Sequence, residues 1–172
     1  MAQYGPNGPN GPSGQAGRRI GLVAAAQRRR VGVRQAREQF ASSPTFRRAR
    51  DYCERAYGEW YILSANHLLL PPQQVIGPDE RRLSAFTADE RLAWAAQVAA
   101  RLRERRDRSA EPLTIMLFAS QRYADLLARV APELPIELPL SGLAPRDRLR
   151  WYDERLRVRS RLLGGAPGGL AR

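Results

Sequence analysis

The stretch from Thr87 to Phe118, TADERLAWAAQVAARLRERRDRSAEPLTIMLF, decides the fold class. Thr87 followed three residues later by Glu90 is a capping box, in which each side chain satisfies an orphan N–H at the start of a helix. The spacing of Leu92, Ala95, Ala96, Ala99 and Leu102 then predicts a helix over Ala88–Arg106 with one apolar face. After the break at Pro112, Leu113-Thr-Ile-Met-Leu-Phe118 is short and almost wholly apolar, as expected of a strand covered on both faces. A helix leading into such a strand is the repeating unit of α/β proteins.

Working outward, the same alternation continues. Arg122–Val130 has helical spacing, Ile136-Glu-Leu-Pro-Leu140 is a further short strand, and Pro145–Leu163 is an arginine-rich final helix. Upstream, Ile20–Ala26 is an apolar run with the length of a buried strand. Ser43-Pro44 opens a helix to about Tyr57, with Phe46, Ala49, Tyr52, Cys53 and Ala56 at helical spacing. Trp60–Leu63 is another strand, and Pro71-Pro72 with Gly77-Pro78 marks a structured loop. The prediction is an α/β fold with a mostly parallel sheet of about four strands and flanking helices. It occupies a single domain over 18–163. The Gly/Pro-rich 1–17, with its GPN repeat, is expected to be disordered, and 164–172 flexible.

In open parallel sheets, ligands bind outside the carboxyl ends of the strands. Those ends are predicted at Ala24–Arg28, Ser64–His67, Ala119–Tyr123 and Leu140–Gly142. Charge points to the first of them. The chain has 29 basic and 17 acidic residues, a net charge of +12, and every basic residue is arginine. Between Arg18 and Arg50, ten arginines face Glu38 alone, a net +9. An excess of that size favours polyanionic partners, nucleic acid above all. The guanidinium fork suits phosphate oxygens, although the same run also fits a solvated basic loop. The predicted phosphate-binding set is Gln27, Arg28, Arg29, Arg30, Ser43, Arg47 and Asn66. The rival basic surface is the final helix, where Trp151-Tyr152 either packs on the sheet or stacks on bases.

Catalytic signals are sparse. The sequence has no Walker loop, GxGxxG, HExxH or GxSxG. Ser64 and His67 are the candidate catalytic residues on position alone, since both follow a strand at the ligand edge; a structural role for the lone histidine stays open. Cys53, the only cysteine, falls within a helical pattern and is expected in the core. No metal and no cofactor is called for. No apolar run has the length of a membrane span, and the N-terminus lacks the pattern of a signal peptide, so no membrane partner and a cytoplasmic location, bacterial or phage, are expected.

Trp60-YILSANHLLLPPQQVIGP-Asp79 resembles a bacterial and phage family whose usual form is WYILSAKHGLL, a Pro, then Val-Ile-x-PYD. Ser43-Pro-Thr-Phe-Arg-Arg-Ala-Arg50 is similar to that family's SPLFRKAR helix start, and Leu22-Val23 with the three alanines stands where it has LVSC, Gly and Lys. The family is itself similar to the YaaA peroxide-stress proteins, which carry SPAK and LSGLYGVLRP at the corresponding points. The resemblance implies an α/β fold and a connection to DNA, through DNA binding in YaaA-like proteins and through relatives near systems that install deazaguanine bases. Ser43, Ser64 and His67 are retained. The usual Cys is Ala25, the usual Lys Asn66, the usual Gly Leu68 and the usual Tyr Asp79. That pattern favours binding over a covalent thiol mechanism. The leading expectation is therefore a nucleic-acid-associated protein. The alternatives are an enzyme acting on a nucleotide or modified base through Ser64 and His67, and an interaction module without chemistry.

Overall fold

The computed structural model describes residues 17–27, 29–78 and 81–163, with the side chains of 159–163 excepted. The two expected terminal tails therefore fall essentially outside the described residues, as do Arg28 and Asp79. The central strand is β1 (Arg18–Ala24), buried on both faces from Ile20 to Val23. A two-residue strand β2 (Arg34–Gln35) and the short helix α1 (Ala36–Gln39) lead to α2 (Pro44–Ala56). Ser43 caps α2, its hydroxyl accepting the Phe46 N–H at 3.3 Å, with Pro44 pre-set for the first turn. Then come β3 (Trp60–Ser64), β4 (Leu68–Leu70) and β5 (Val75–Ile76). Next are α3 (Ala88–Asp107), β6 (Leu113–Phe118), α4 (Gln121–Val130), β7 (Ile136–Glu137) and α5 (Pro145–Leu163).

The main sheet has the order β4-β3-β1-β6-β7, five strands rather than about four. It is parallel except for β4, which folds back antiparallel on β3. Side-chain alternation divides the core between its faces. Ile20, Leu22, Leu63, Ile115 and Leu117 pack with α3 and α4, and Val23, Ile62, Met116 and Phe118 pack with α1, α2 and α5. Cys53 is in the second of these cores, as expected. Gly21 lets α2 lie close on the sheet. A Cβ there would sit 2.9 Å from the Cys53 Sγ and 2.9 Å from Tyr57 Cδ2.

Four local expectations are corrected. On α3 the capping box is present in both halves, Glu90 N to Thr87 Oγ1 at 3.2 Å and Thr87 N to Glu90 Oε2 at 2.7 Å. Its buried face, however, is Trp94, Ala95, Val98, Ala99 and Leu102, with Ala96 exposed and Leu92 half-buried. Trp94 sets that phase: its large ring is buried while its indole N–H donates to the Ser64 carbonyl at 3.0 Å. The predicted strand over Ile136–Leu140 pairs only at Ile136–Glu137, and Pro139 has no N–H with which to extend the ladder. The apolar run expected at Ile20–Ala26 is a strand shifted to Arg18–Ala24. The loop bounded by Pro71-Pro72 and Gly77-Pro78 contains β5, which pairs antiparallel with β2. Among the described residues no helix is long and apolar enough to cross a membrane.

Candidate functional site

From β1 the chain passes through α2 to β3, on one side of β1 in the sheet; from β6 it passes through α4 to β7, on the other. The two loops therefore leave neighbouring strand ends in opposite directions, on opposite faces. That divergence is a topological switch point, where an open sheet leaves a crevice. A cavity of about 500 Å³ lies there, lined by the end of β1 and its following loop (Val23–Gln27), the start of α2 (Ser43–Phe46), Phe118–Ser120, Leu140, Arg148 and Tyr152. This size is within the usual range for small-molecule sites, about 300–1,000 Å³.

The electrostatics of the cavity are one-sided. Two helices begin at it, and neither α2 nor α4 has an acidic residue in its first turn. By contrast α3, which starts elsewhere, has Asp89 and Glu90 there. Acidic side chains ordinarily complement the partial positive charge of a helix N-terminus. Ser120 is in the N-cap position of α4, yet its side chain makes no capping hydrogen bond. Arg148 is half-buried. Its Nε donates to the Leu143 carbonyl at 3.3 Å, and it has no carboxylate partner among the described residues. Tyr152 is 1% exposed, in an aromatic cluster with Phe118, Tyr52 and Trp151, so the packing role proposed for it is the observed one. Burial pushes its phenol pKa well above the ordinary value. Its hydroxyl has no hydrogen-bond partner among the described residues. The remaining lining, from Val23, Phe46, Ala49, Phe118 and Leu140, is apolar. Among the described residues no three His, Cys, Asp or Glu side chains gather as a metal site.

Of the residues predicted from sequence, Gln27 and Ser43 line this cavity. Arg47 is exposed on the first turn of α2, beside it in sequence. Arg28 lies outside the described residues. Arg29 reaches the Arg81 carbonyl at 3.4 Å, and its buried Nε is without a partner. Arg30 is exposed, 4.0 Å from Glu38, and its carbonyl accepts from Gln39 Nε2 at 2.6 Å. Asn66, Ser64 and His67 are elsewhere, at the turn joining β3 to β4. Ser64 and Ser120 do share the carboxyl edge, since both follow parallel strands in register with β1. Ser64, however, is fully buried, with its hydroxyl accepting the His67 N–H at 3.1 Å, a local turn-closing bond. The turn ends at Leu68 with φ 61°, the left-handed region.

The basic stretch is also partly neutralised. Arg18 pairs with Glu59, Arg37 with Glu54 at 3.0 Å, Arg48 with Asp153 at 2.8 Å, and Arg50 with Glu38 and Asp51 at 3.0 Å each. Sequence reasoning had placed Arg148 and Tyr152 only on a rival surface, and Ser120 only at the edge. Their shared cavity follows from strand order, which no local motif states.

Residues 20–154 match DUF6884, a family of unknown function, and the chain belongs to that family. No curated protein and no solved structure matches it.

Proposed function

We propose that this DUF6884 member binds nucleic acid without covalent chemistry, holding phosphates at the carboxyl edge of its sheet. The observation that carries the reading is the company of cations there: Arg148 in the cavity, Arg47 on α2 and Arg29 after β1 have no carboxylate partner among the described residues. Arg47 is on the first turn of α2 and Arg148 lines the cavity where α2 and α4 begin, and neither helix has an acidic residue in its first turn. Helix N-termini and guanidinium forks are both suited to phosphate. The resemblance of the chain's motifs to a family that is itself similar to the YaaA proteins favours the same reading. So does Ala25, which lines the cavity at the position where the resembling family has a cysteine and brings no thiol to it.

The alternative, an enzyme acting on a nucleotide or a modified base, draws support from a cavity large enough for such a ligand. It is the weaker reading, because the described residues of the lining include no carboxylate, imidazole or thiol. The test is a fluorescence-anisotropy titration of labelled duplex and single-stranded oligonucleotides at several salt concentrations. For duplex DNA, log affinity should fall against log salt by about 0.9 per phosphate neutralised. Replacing Arg29, Arg30 and Arg47 together by Ala should flatten that slope by up to about 3 units, equally across sequences. Absence of binding at low salt refutes the proposal. An unchanged slope, with the loss following Arg146, Arg150, Arg155 and Arg157 of α5, moves the footprint to that helix and refutes its placement here.

A further inference from the structure

We infer that the cavity between the carboxyl ends of β1 and β6 is a binding site for a nucleotide bearing a phosphate monoester. The inference deepens the nucleic-acid reading at the same edge and shares Arg148 with it, but its probes are mononucleotides and its variants are at Arg148 and Ser120, so either can fail alone. The polar side of the cavity is built for an anion. Arg148 is a half-buried cation with no carboxylate partner among the described residues, held by one bond from Nε to the Leu143 carbonyl. That bond leaves both terminal nitrogens of the guanidinium available. Ser120 has its hydroxyl uncommitted at the start of α4, where the first-turn N–H groups lack a side-chain cap. Tyr152, 1% exposed, also lines the cavity, and no hydrogen bond of its hydroxyl is found among the described residues, so this phenol can donate to a ligand oxygen there.

The other side of the cavity determines what the anion is attached to. A free inorganic ion would fill only a small part of about 500 Å³. Val23, Phe46, Phe118 and Leu140 form an apolar, partly aromatic wall, and such surface gains from covering by a flat, weakly polar group. A nucleoside monophosphate has both parts in one molecule: a base and sugar for the wall, and an anion for Arg148, Ser120 and the helix starts. A monoester is preferred to a backbone diester because its extra charge and third terminal oxygen match several donors converging from different elements. The same chemistry comes from two sources, a free mononucleotide or the phosphorylated end of a strand.

The test is calorimetric titration of the full chain with the four deoxynucleoside 5′-monophosphates, the matching nucleosides and inorganic phosphate. At least one monophosphate should bind, with its nucleoside and inorganic phosphate each at least about tenfold weaker, a difference of roughly 1.4 kcal/mol. Arg148→Met, which keeps the alkyl stem, should weaken the monophosphate at least about tenfold. Ser120→Asp, at an exposed position that tolerates a carboxylate, should do the same should the first variant not fold. A second arm compares 5′-phosphorylated with 5′-hydroxyl oligonucleotides. Preference for the phosphorylated end, competed by mononucleotide, assigns the site to strand ends; equal binding assigns it to the free nucleotide. No monophosphate binding up to about 1 mM overturns the inference, whatever the oligonucleotides do. So does binding no tighter than that of inorganic phosphate, or binding that Arg148→Met and Ser120→Asp both leave unchanged.

Discussion

Replacing Ser120 by Asp should make the protein more stable and a worse binder, and the two effects have one physical origin. Ser120 has the extended backbone of an N-cap, φ −72° and ψ 158°, but its side chain caps nothing, and no acidic residue follows in the first turn of α4. An Asp carboxylate at that position can accept a first-turn N–H and face the positive end of the helix. Together these should contribute about 0.5–1.5 kcal/mol. For a chain of this size each kcal/mol raises the melting temperature by roughly 2–4 °C. A phosphate in the cavity would meet the same carboxylate. At about 4 Å and an effective dielectric near 20, the repulsion has an upper bound of about 4 kcal/mol, close to a thousandfold in affinity. Exposure of Ser120 screens part of it, so a loss between about tenfold and that bound is expected. Urea titration gives the stability, and calorimetry the affinity for a mononucleotide. Ser120→Asn separates the causes: as a neutral cap it should retain part of the stabilisation and weaken binding by less than Ser120→Asp does, since it occupies a first-turn N–H without adding a negative charge. If Ser120→Asp is stabilised as expected but binds the mononucleotide like the parent, the α4 start is not where the anion sits.

Two further outcomes test the packing that holds the edge in place. Gly21→Ala puts a methyl group 2.9 Å from the Cys53 Sγ and Tyr57 Cδ2 and 3.2 Å from the Trp60 Cβ, so the urea midpoint should fall by the equivalent of about 1–3 kcal/mol. An unchanged midpoint would mean that α2 is not tightly seated on β1. Cys53 is buried, and burial followed by the nearby Glu54 charge pushes its thiol pKa up, so iodoacetamide should leave it unmodified in the native protein and label it in urea, as read by mass spectrometry. Rapid native labelling that removes ligand binding would contradict a non-thiol site.

Legibility in the sequence followed how local the physics was. The capping box at Thr87 and Glu90, the Ser43-Pro44 start of α2, the strand Leu113–Phe118 and the helix Pro145–Leu163 are each specified within a few residues, and each is found where the spacing put it. Pairing is not local. The triple leucine Leu68–Leu70 becomes a strand by pairing with β3, and the turn before it depends on a left-handed Leu68 where the resembling family has a glycine. That conformation costs a non-glycine residue about 1–2 kcal/mol, and the half-buried side chain packing on the core works against the cost. Nothing in the one-dimensional pattern announces such a compromise.

The candidate site extends the same argument. Sequence order alone treats the ends of the strands as equivalent, so Ser64 with His67 ranked beside Gln27 and Ser43. Strand order breaks that equivalence, because the outgoing loops diverge between β1 and β6, and there the edge opens into a cavity. At the end of β3 the chain instead turns back at once into β4, and the Ser64 hydroxyl is used to close that turn. Arg148 illustrates the converse. It is one arginine among seven in the final helix as judged by composition. What distinguishes it is the third dimension: α5 packs on α2 over the end of β1, which brings Arg148 and Tyr152 to the cavity and leaves Arg150 to pair with Asp147 at 2.8 Å. An anion-binding role for Arg148 is thus a property of helix packing. Disturbing the seat of α5, for instance at Tyr152, should affect the cavity even with every arginine in place.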